Sequence, residues 1–457
     1  MDFSRVNSVY LIGIGGIGMS ALARYFKANG YAVAGYDRTE TVLIGELQKE
    51  GIEIHFEDKV ELIAGEYKNP VYTLVVYTPA VSPDHKQLTY FKEHLFTVKK
   101  RSEVLGLLTH QHKGICVAGT HGKTTISTMI AHLLKQSNVG CSAFLGGVSQ
   151  NYKTNLLLSD KSDFVVLEAD EFDRSFLRLK PYLALVSSAD ADHLDVYGND
   201  SSVKESFQQF AYLVKPGGIL LTKKEIDLAF KAGEGVKHIT YSLEDKEADF
   251  FAENIRLVDG LYHFDLNAQG VLIEDITVGV PGLVNVENAV GACSVAYWVG
   301  ATGMEIRSAL SEFKGIRRRF DYRIKRDDLV LIDDYAHHPE EIKATIRSVR
   351  ALYPDSKVTG VFQPHLFSRT NDFYKEFAQS LGKLDELIML DIYPAREKPM
   401  EGVTSKLILD LVDLPVKRLT IKKELIKEIK SMKPEVLLMM GAGDIDKEID
   451  KVVEVLK

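Results

Sequence analysis

The sequence predicts an α/β protein in which mostly parallel sheets are covered by helices. Short apolar runs typical of buried strands alternate with longer segments in which apolar residues recur every three or four positions. Several of these runs end in glycines or in acidic residues, as expected at the carboxyl edge of a parallel sheet. At 457 residues the chain is long enough for about three domains.

The first predicted domain, residues 1–109, begins with a glycine turn between a strand and a helix. The turn has the pattern G-x-G-x-x-G, and an aspartate follows about 20 residues later, at the end of the next apolar run. Such a turn brings a pyrophosphate to a helix N-terminus, and UDP and NAD would both satisfy it. Glycines required only for helix–strand packing are the alternative. The candidate residues are Gly13, Gly15, Gly16, Ile17, Gly18 and Asp37.

The second predicted domain, residues 110–313, begins with a candidate phosphate loop between a short apolar run and a helical pattern. In such a loop, backbone N–H groups face the anion, Lys123 reaches the outer phosphates and the Thr124 hydroxyl ligates Mg²⁺. Val117 stands where the standard pattern begins with glycine, so an ordinary tight turn with a solvated lysine is the alternative. The loop comprises Gly119, Thr120, His121, Gly122, Lys123, Thr124 and Thr125.

Two further strand patterns of this domain are followed by acidic residues. Glu168 ends the first, and His193 follows the second among several aspartates. The carboxyl ends of parallel strands share one edge with the phosphate loop, and oxygen ligands suit Mg²⁺. The candidate metal ligands are therefore Glu168, His193 and Thr124. A hydrogen-bonded or capping histidine is the alternative for His193, and most of the other acids are interpreted as loop solubilisers.

The remaining sequence predicts hairpins and a third domain. Residues 248–280 alternate between apolar and polar positions, with turn signals at Asp-Gly and Gln-Gly, which predicts antiparallel hairpins added to the second sheet. Residues 314–457 again alternate strands with helices, and polar residues follow the strands. The adjacent His337 and His338 do not predict zinc, because chain neighbours point in different directions and no third ligand has metal spacing.

Composition excludes several classes of protein. The net charge is −8 without a long basic block, which argues against nucleic-acid binding, and the run Lys99-Lys100-Arg101 is interpreted as a solvated face. No apolar run reaches the ~18 residues that span a bilayer, and no signal peptide is predicted. The three cysteines show no C-x-x-C pairing, which favours reduced thiols in a cytoplasm.

Taken together, the motifs resemble those of the Mur ligase family of peptidoglycan synthesis. The resemblance runs from about residue 10 to 445 in the family order, and it implies three domains. These are an N-terminal Rossmann-like domain for a UDP-sugar, a central P-loop ATPase domain, and a C-terminal Rossmann-like domain that closes over ATP and receives the amino acid. The motifs that carry it are residues 13–18, 119–124, 192–195, 318–320, 333–339, 363–365 and 369–370.

The family resemblance implies an ATP- and Mg²⁺-dependent ligase that forms an acyl phosphate. The motifs at 15–19 and 363–365 favour the branch that joins L-alanine to UDP-N-acetylmuramate over sister ligases that add another amino acid or a recycled tripeptide. The first glycine motif then binds UDP. A nicotinamide-dependent dehydrogenase would leave the second loop without a purpose, and a non-catalytic, nucleotide-gated interaction protein is a further alternative. The oligomeric state is left open.

The resemblance also implies individual roles in catalysis and nucleotide binding. Asn285 is expected at the adenine, Arg319 at a phosphate and Asp334 at the nucleotide ribose. His337 and Arg369 are expected near the reacting substrates. His337 and bulk solvent are alternative acceptors for the proton of the amine, and the choice between them is left open. The catalytic candidates are Lys123, His193, Arg319, His337 and Arg369.

Three positions depart from the family pattern. Ser188 stands where the family usually has asparagine, Val284 where it has histidine and Leu366 where it has arginine. The last departure bears on how the carboxylate of the amino acid is bound. None of the three affects the loop lysine or the proposed metal ligands.

Overall fold

The computed structural model describes residues 5–190, 197–395 and 397–457. Within these ranges the chain forms three sheets flanked by helices, and it divides into two compact units. The first unit comprises the chain up to Ile255 together with His263–Thr277 and Glu287–Phe313. The second comprises Arg256–Tyr262, Val278–Val286 and Lys314–Lys457.

The first sheet is entirely parallel. Its strands are β1 (Ser8–Ile12), β2 (Ala32–Tyr36), β3 (Glu53–His55), β4 (Thr73–Tyr77) and β5 (Thr97–Lys100). Its helices are α1 (Ile17–Ala28), α2 (Val42–Lys49), α3 (Lys86–Glu93) and α4 (Arg101–Gln111). The strand order is β3-β2-β1-β4-β5. β1 is buried at every position, which explains its continuous apolar run, and the turn after β1 lies where the strand order reverses.

Among the described residues, the second sheet has ten strands. They are β6 (Lys113–Ala118), β7 (Ser142–Phe144), β8 (Leu156–Leu157), β9 (Phe164–Glu168), β10 (Leu183–Val186), β11 (Ile219–Lys223), β12 (Lys237–Ser242), β13 (Phe250–Val258), β14 (Leu261–Ala268) and β15 (Val271–Thr277). Its helices are α5 (Lys123–Gln136), α6 (Asp200–Tyr212), α7 (Leu283–Trp298) and α8 (Gly303–Ser311). The order is β15-β14-β13-β12-β11-β10-β6-β9-β7-β8. β6 lies between β10 and β9 and is parallel to both.

The hairpins predicted from alternation are present at one end of this sheet. β13, β14 and β15 are neighbours, and β14 pairs with β15 in antiparallel orientation. Both turn dipeptides have positive φ at each residue: 51° and 80° at Asp259-Gly260, and 52° and 88° at Gln269-Gly270. Two consecutive positive φ angles match the tight hairpin turns that the sequence signals predict.

The third sheet lies in the second unit. Its strands are β16 (Asp321–Lys325), β17 (Val330–Asp334), β18 (Val358–Phe362), β19 (Glu386–Leu390), β20 (Val416–Thr420) and β21 (Val436–Met440). Its helices are α9 (Pro339–Leu352), α10 (Phe367–Leu381), α11 (Ser405–Leu409), α12 (Lys422–Met432) and α13 (Asp446–Leu456). The order is β16-β17-β21-β18-β19-β20, and β16 alone among the described strands of this sheet runs antiparallel to its neighbour.

A buried polar contact attaches α1 of the first sheet to the second sheet. Asn155, which is fully buried before β8, donates from Nδ2 to the Ile17 carbonyl at 2.6 Å and to Ser20 Oγ at 2.9 Å. Arg24 Nη1 donates to Asn155 Oδ1 at 2.5 Å and also pairs with Glu50. The first two predicted domains therefore share one compact unit, and their boundary at 109/110, like that at 313/314, stays a prediction.

Candidate active site

The phosphate loop connects β6 to α5 through two glycines with positive φ. Gly119 has φ 140° and Gly122 has φ 81°. A Cβ on Gly119 would overlap the hydroxyl of Ser187, so the loop requires glycine there. α5 has no side-chain cap, and among the described residues the N–H groups of Lys123 and Thr124 donate no hydrogen bond. The loop therefore presents unpaired donors at the positive end of a helix, as anion binding requires.

Lys123 forms a buried ion pair at the start of α5. Its Nζ donates to the Gly119 carbonyl at 2.6 Å and to Glu171 Oε1 at 2.8 Å, and the Glu171 side chain is only 1% exposed. Burial raises the pKa of Glu171 to about 7 although Lys123 opposes the shift. Burial lowers the pKa of Lys123, but the carboxylates of Glu171 and Asp170 outweigh it and the net pKa is raised. The Lys123 side chain is thus charged, and its two hydrogen bonds hold it beside the phosphate loop.

Two serines after β10 support the phosphate loop from the neighbouring strand. Ser188 Oγ accepts from the His121 N–H at 2.9 Å and from the Thr120 hydroxyl at 2.9 Å. Ser187 Oγ donates to the His121 carbonyl at 2.5 Å. Ser188 is one of the three departures from the family pattern, and the structure gives it a defined role in holding the loop.

Glu168 and Thr124 are the predicted metal ligands that lie within the described residues. Glu168 ends β9 at the carboxyl edge, in register with Val117 of β6. Its Oε1 is buried and has no hydrogen-bond partner among the described residues, and a Cβ on Gly146 would overlap it. An unpartnered buried carboxylate oxygen near a phosphate loop fits Mg²⁺. His193 lies outside the described residues, and within the described part no three histidine, cysteine or acidic side chains converge on a metal position.

The first glycine turn has the geometry predicted for a pyrophosphate site. Gly13 has φ 84°, and α1 begins at Ile17 after Gly16, which has no side-chain cap. In the part of the chain that the structure describes, the N–H groups of Ile17 and Gly18 donate no hydrogen bond. Asp37, which is predicted to belong to the UDP site, accepts from the Gly15 N–H at 2.8 Å through Oδ2. This contact fixes the turn, and a UDP contact by Asp37 stays a prediction.

The predicted nucleotide residues of the second unit lie around a turn before β16. The guanidinium carbons of Arg318 and Arg319 lie 5.2 Å and 5.0 Å from the centre of the Tyr335 ring. Asp334 is buried and accepts from the Phe320 N–H at 2.7 Å and from the Ala336 N–H at 2.8 Å. Asp334 therefore holds the turn that carries Arg319, and its predicted ribose contact stays a prediction.

The structure brings His337 and His365 together at the carboxyl edge of the third sheet. Their ring centres are 6.1 Å apart, and His365 stacks on Tyr393 at 5.8 Å. Burial, followed by the effects of His337 and Arg369, lowers the pKa of His365 to about 4. His337 Nδ1 lies 3.1 Å from Glu341 Oε2, which orients the ring. The predicted residues His337 and Arg369 thus belong to one polar cluster.

The structure also describes Asn285, the predicted adenine contact, and Leu366, one of the departures from the family pattern. Asn285, in the first turn of α7, donates from Nδ2 to the Pro281 carbonyl at 2.6 Å, and its adenine contact stays a prediction. Leu366 precedes α10 with φ 73° and ψ 138°, a conformation that non-glycine residues rarely adopt. Backbone strain of this kind is concentrated at functional sites, and here it lies between His365 and α10.

This chain is similar to known proteins over its whole length. Three family models match consecutive segments: "Mur ligase family, catalytic domain" at residues 8–113, "Mur ligase middle domain" at 117–296 and "Mur ligase, glutamate ligase domain" at 318–443. A protein of Parabacteroides distasonis called UDP-N-acetylmuramate–L-alanine ligase is 54% identical, with 100% of this chain and 98% of that protein covered. This chain belongs to the Mur ligase family. The predicted family is confirmed.

Further relatives of this Mur ligase agree with that assignment. A Porphyromonas gingivalis protein of the same name is 52% identical, with 98% of this chain and 99% of that protein covered. The crystal structure of UDP-N-acetylmuramate-alanine ligase from Thermotoga maritima has a TM-score of 0.84 and 27% identity, covering 98% of this chain and 99% of the other. A murein peptide ligase from Psychrobacter arcticus shares the fold, with a TM-score of 0.73 at 21% identity, covering 98% of both chains. The predicted three-domain α/β fold is confirmed.

Membership of the Mur ligase family decides between the alternatives for the two glycine loops. The dehydrogenase and the non-catalytic interaction protein are set aside, since the family consists of ligases. Among the described residues no helix is long and apolar enough to cross a membrane. Sequence reasoning missed the roles of Glu171, Ser187 and Ser188 in supporting the phosphate loop, although their positions just after strands were a usable signal.

Proposed function

We propose that this Mur ligase joins L-alanine to the carboxylate of UDP-N-acetylmuramate while ATP is converted to ADP and phosphate. The observation that carries the proposal is the phosphate loop with its buried lysine, located in the same compact unit as a second glycine turn suited to a pyrophosphate. Two phosphate-binding turns in one unit match a reaction between a nucleoside triphosphate and a nucleotide sugar. The names of relatives over the whole length of the chain support L-alanine as the acceptor.

The chemistry requires activation of a poor electrophile. The sugar carboxylate attacks the γ-phosphorus and ADP departs, which forms an acyl phosphate. The alanine amine then attacks the acyl carbon, phosphate departs, and the amine loses a proton. The first step brings an anion against a polyanion, at about 4 kcal/mol for each pair of unit charges 4 Å apart at an effective dielectric of ~20.

Cationic groups of this chain would offset that repulsion. Lys123 would leave Glu171 to bind the outer phosphates, and Arg319 is proposed to bind a phosphate. Thr124, Glu168 and His193 would hold Mg²⁺, which supplies charge neutralisation and orientation of the phosphates. Among these, Glu168 supports the metal assignment most directly, because its Oε1 has no hydrogen-bond partner among the described residues.

The remaining candidates bind nucleotides or handle the amine. Asn285 and Asp334 are proposed to contact the adenine and ribose of ATP, and Asp37 to lie at the UDP site. His337, oriented by Glu341, is proposed to accept the proton of the amine, with Arg369 beside it. His365 is a weaker base because its pKa is about 4, well below the value that suits proton transfer at neutral pH.

A cytoplasmic location is part of the proposal. Cys116, Cys141 and Cys293 are all buried and free of disulfides. Burial raises the pKa of Cys141 to about 12, so its thiol stays protonated at neutral pH. Unpaired thiols suit a reducing compartment.

The test is ADP release by the purified protein with ATP, Mg²⁺ and UDP-N-acetylmuramate, with and without each candidate amino acid. We expect release only when the UDP-sugar and L-alanine are both present. Release that requires another amino acid, or a tripeptide, would move the protein to a sister ligase with the same fold and chemistry. No stimulated release under any condition would overturn the proposed activity.

A further inference from the structure

The basic run at residues 99–101 is not the solvated face that the sequence suggests. Arg101 is the first residue of α4, and its side chain is 27% exposed. The guanidinium extends from the edge of the first sheet to the first turn of α1, where a Cβ on Gly18 would overlap Nη1. The third glycine of the G-x-G-x-x-G motif therefore leaves room for the Arg101 guanidinium in this position.

The position of Arg101 is electrostatically unfavourable unless an anion is bound. A cation near a helix N-terminus repels the positive end of the helix dipole, whereas an anion is stabilised there. In the described part of the chain, the Arg101 side chain makes no hydrogen bond, and its one counterion, Asp170 Oδ2, is 3.6 Å away and 41% exposed. Beside it, the N–H groups of Ile17 and Gly18 are also unpaired among the described residues. The Arg101 guanidinium and these two N–H groups therefore lie together at the first turn of α1.

We infer that Arg101 binds the diphosphate of the UDP-sugar and that Asp170 holds the guanidinium in position until the diphosphate replaces it as counterion. A guanidinium and the backbone N–H groups of a helix turn are suited to oxygens of adjacent phosphates. The inference rests on the proposed function, because it assigns a residue to the UDP-sugar site.

The ion pair between Arg101 and Asp170 also connects the proposed UDP site with the phosphate loop. Asp170 belongs to the loop after β9 that carries Glu171, the partner of Lys123. Asp170 also raises the pKa of both Glu171 and Lys123. Arg101 is therefore a positioning residue for this loop when UDP is absent and a ligand-binding residue when it is present.

The test compares the binding of uridine, UMP and UDP by calorimetry. We expect Arg101→Ala to weaken UDP binding about ten- to a hundredfold, UMP binding less, and uridine binding not measurably, because only the phosphates contact the arginine. Arg101→Met, which keeps most of the side-chain volume against Gly18, should give the same pattern if the alanine variant is unstable. Arg178→Ala removes a half-exposed arginine that pairs with Glu103, and should leave UDP binding unchanged.

Asp170→Asn separates a ligand role from a structural role. It removes the same ion pair but keeps the guanidinium, so we expect UDP binding equal to or tighter than that of the wild type. Equal weakening by Asp170→Asn and Arg101→Ala would overturn the inference, as would equal weakening of uridine and UDP. If Arg101→Ala binds UDP as tightly as the wild type does, the inference is overturned and the proposed function is not. Failure of the wild type to bind UDP would overturn the proposed function and the inference with it.

Discussion

Lys123 Nζ lies 2.8 Å from Glu171 Oε1 in a pair of which the carboxylate is almost completely buried. The lysine that we propose to bind the ATP phosphates is therefore already paired with a carboxylate of the protein. The proposed function requires ATP to compete with Glu171 for this lysine. Because removal of one partner from a buried pair leaves an uncompensated charge, single and double substitutions will differ in stability.

Lys123→Ala should abolish ligation while UDP binding survives. Loss of the loop cation removes charge stabilisation of the transferred phosphoryl group, and we expect ADP release to fall about a thousandfold or more. UDP binding, measured by calorimetry, reports on the other glycine turn. The double variant Lys123→Met/Glu171→Gln avoids a buried unpaired carboxylate and serves as the folded control. Near-wild-type turnover in either variant would remove the loop from the mechanism.

Glu171 should make ATP binding depend on pH near neutrality. Its pKa is about 7, so it is largely charged at pH 8 and largely protonated at pH 6. The charged carboxylate repels phosphates and retains Lys123, so ATP affinity should rise as the pH falls from 8 to 6. We expect Glu171→Gln to bind ATP more tightly than the wild type above pH 7, by up to about tenfold per pH unit.

Protonation of ATP itself does not affect the comparison between the wild type and Glu171→Gln. ATP contributes the same protonation to calorimetric measurements on the wild type and on Glu171→Gln, so it cancels in their difference. Parallel pH profiles for the two proteins would contradict the assigned role of Glu171.

Glu168→Ala and His193→Ala should raise the Mg²⁺ concentration required for ADP release. Among the described residues Glu168 Oε1, at the end of β9, has no hydrogen-bond partner, and loss of this carboxylate would remove a proposed hard ligand of the metal. The measurement is the Mg²⁺ concentration at half-maximal rate. Asp160→Asn, at an exposed position between β8 and β9, is the control. An unchanged Mg²⁺ titration in both variants would refute the metal assignment.

Ser188→Ala should loosen the phosphate loop without removing any predicted ATP contact. The part-buried His121 N–H loses its hydrogen bond to Ser188 Oγ, and loss of one such bond costs about 0.5–1.5 kcal/mol. We expect a lower melting temperature and weaker ATP binding, with UDP binding unchanged. Ser201→Ala, at an exposed position on α6, is the control. ATP affinity equal to that of the wild type would show that the loop holds its shape without Ser188.

His365 should steepen the loss of stability in acid. Its pKa is about 4 in the folded protein and about 6.5 when unfolded, so between these values the unfolded chain binds a proton that the folded chain does not. The contribution of the neutral ring is present above pH 6.5 and is lost as the pH falls through 4. In urea denaturation, His365→Gln should lose less free energy of unfolding over this interval than the wild type or the exposed-site control His110→Gln. Identical losses would contradict the shifted pKa.

The sequence predicted the features that depend on local pattern. Glycine spacing and the onset of helical periodicity locate both phosphate turns, because a turn with positive φ and an uncapped helix start is determined by neighbours in the chain. The hairpins followed from alternation and from two dipeptides. Family resemblance supplied the order of the three domains, which the comparisons confirm.

The partners of those turns could not be predicted in the same way. Three acidic residues lie within five positions after β9, and their sequence alone does not tell which one points into the core towards Lys123. That choice depends on how the loop packs beside β6. The contact of Arg101, at the start of α4, with Gly18 could not be predicted for the same reason: contacts across a sheet depend on strand order, which residue spacing does not encode.

The attachment of α1 to Asn155 has a consequence for engineering. Asn155 contacts the Ile17 carbonyl, Ser20 and Arg24, so the packing surface of the first sheet is completed by a side chain from the segment before β8. A chimera that exchanged residues 1–109 for those of a distant relative would leave this buried amide facing an unmatched helix. Recombination of sequences within this family should therefore succeed more often when position 155 is inherited together with α1.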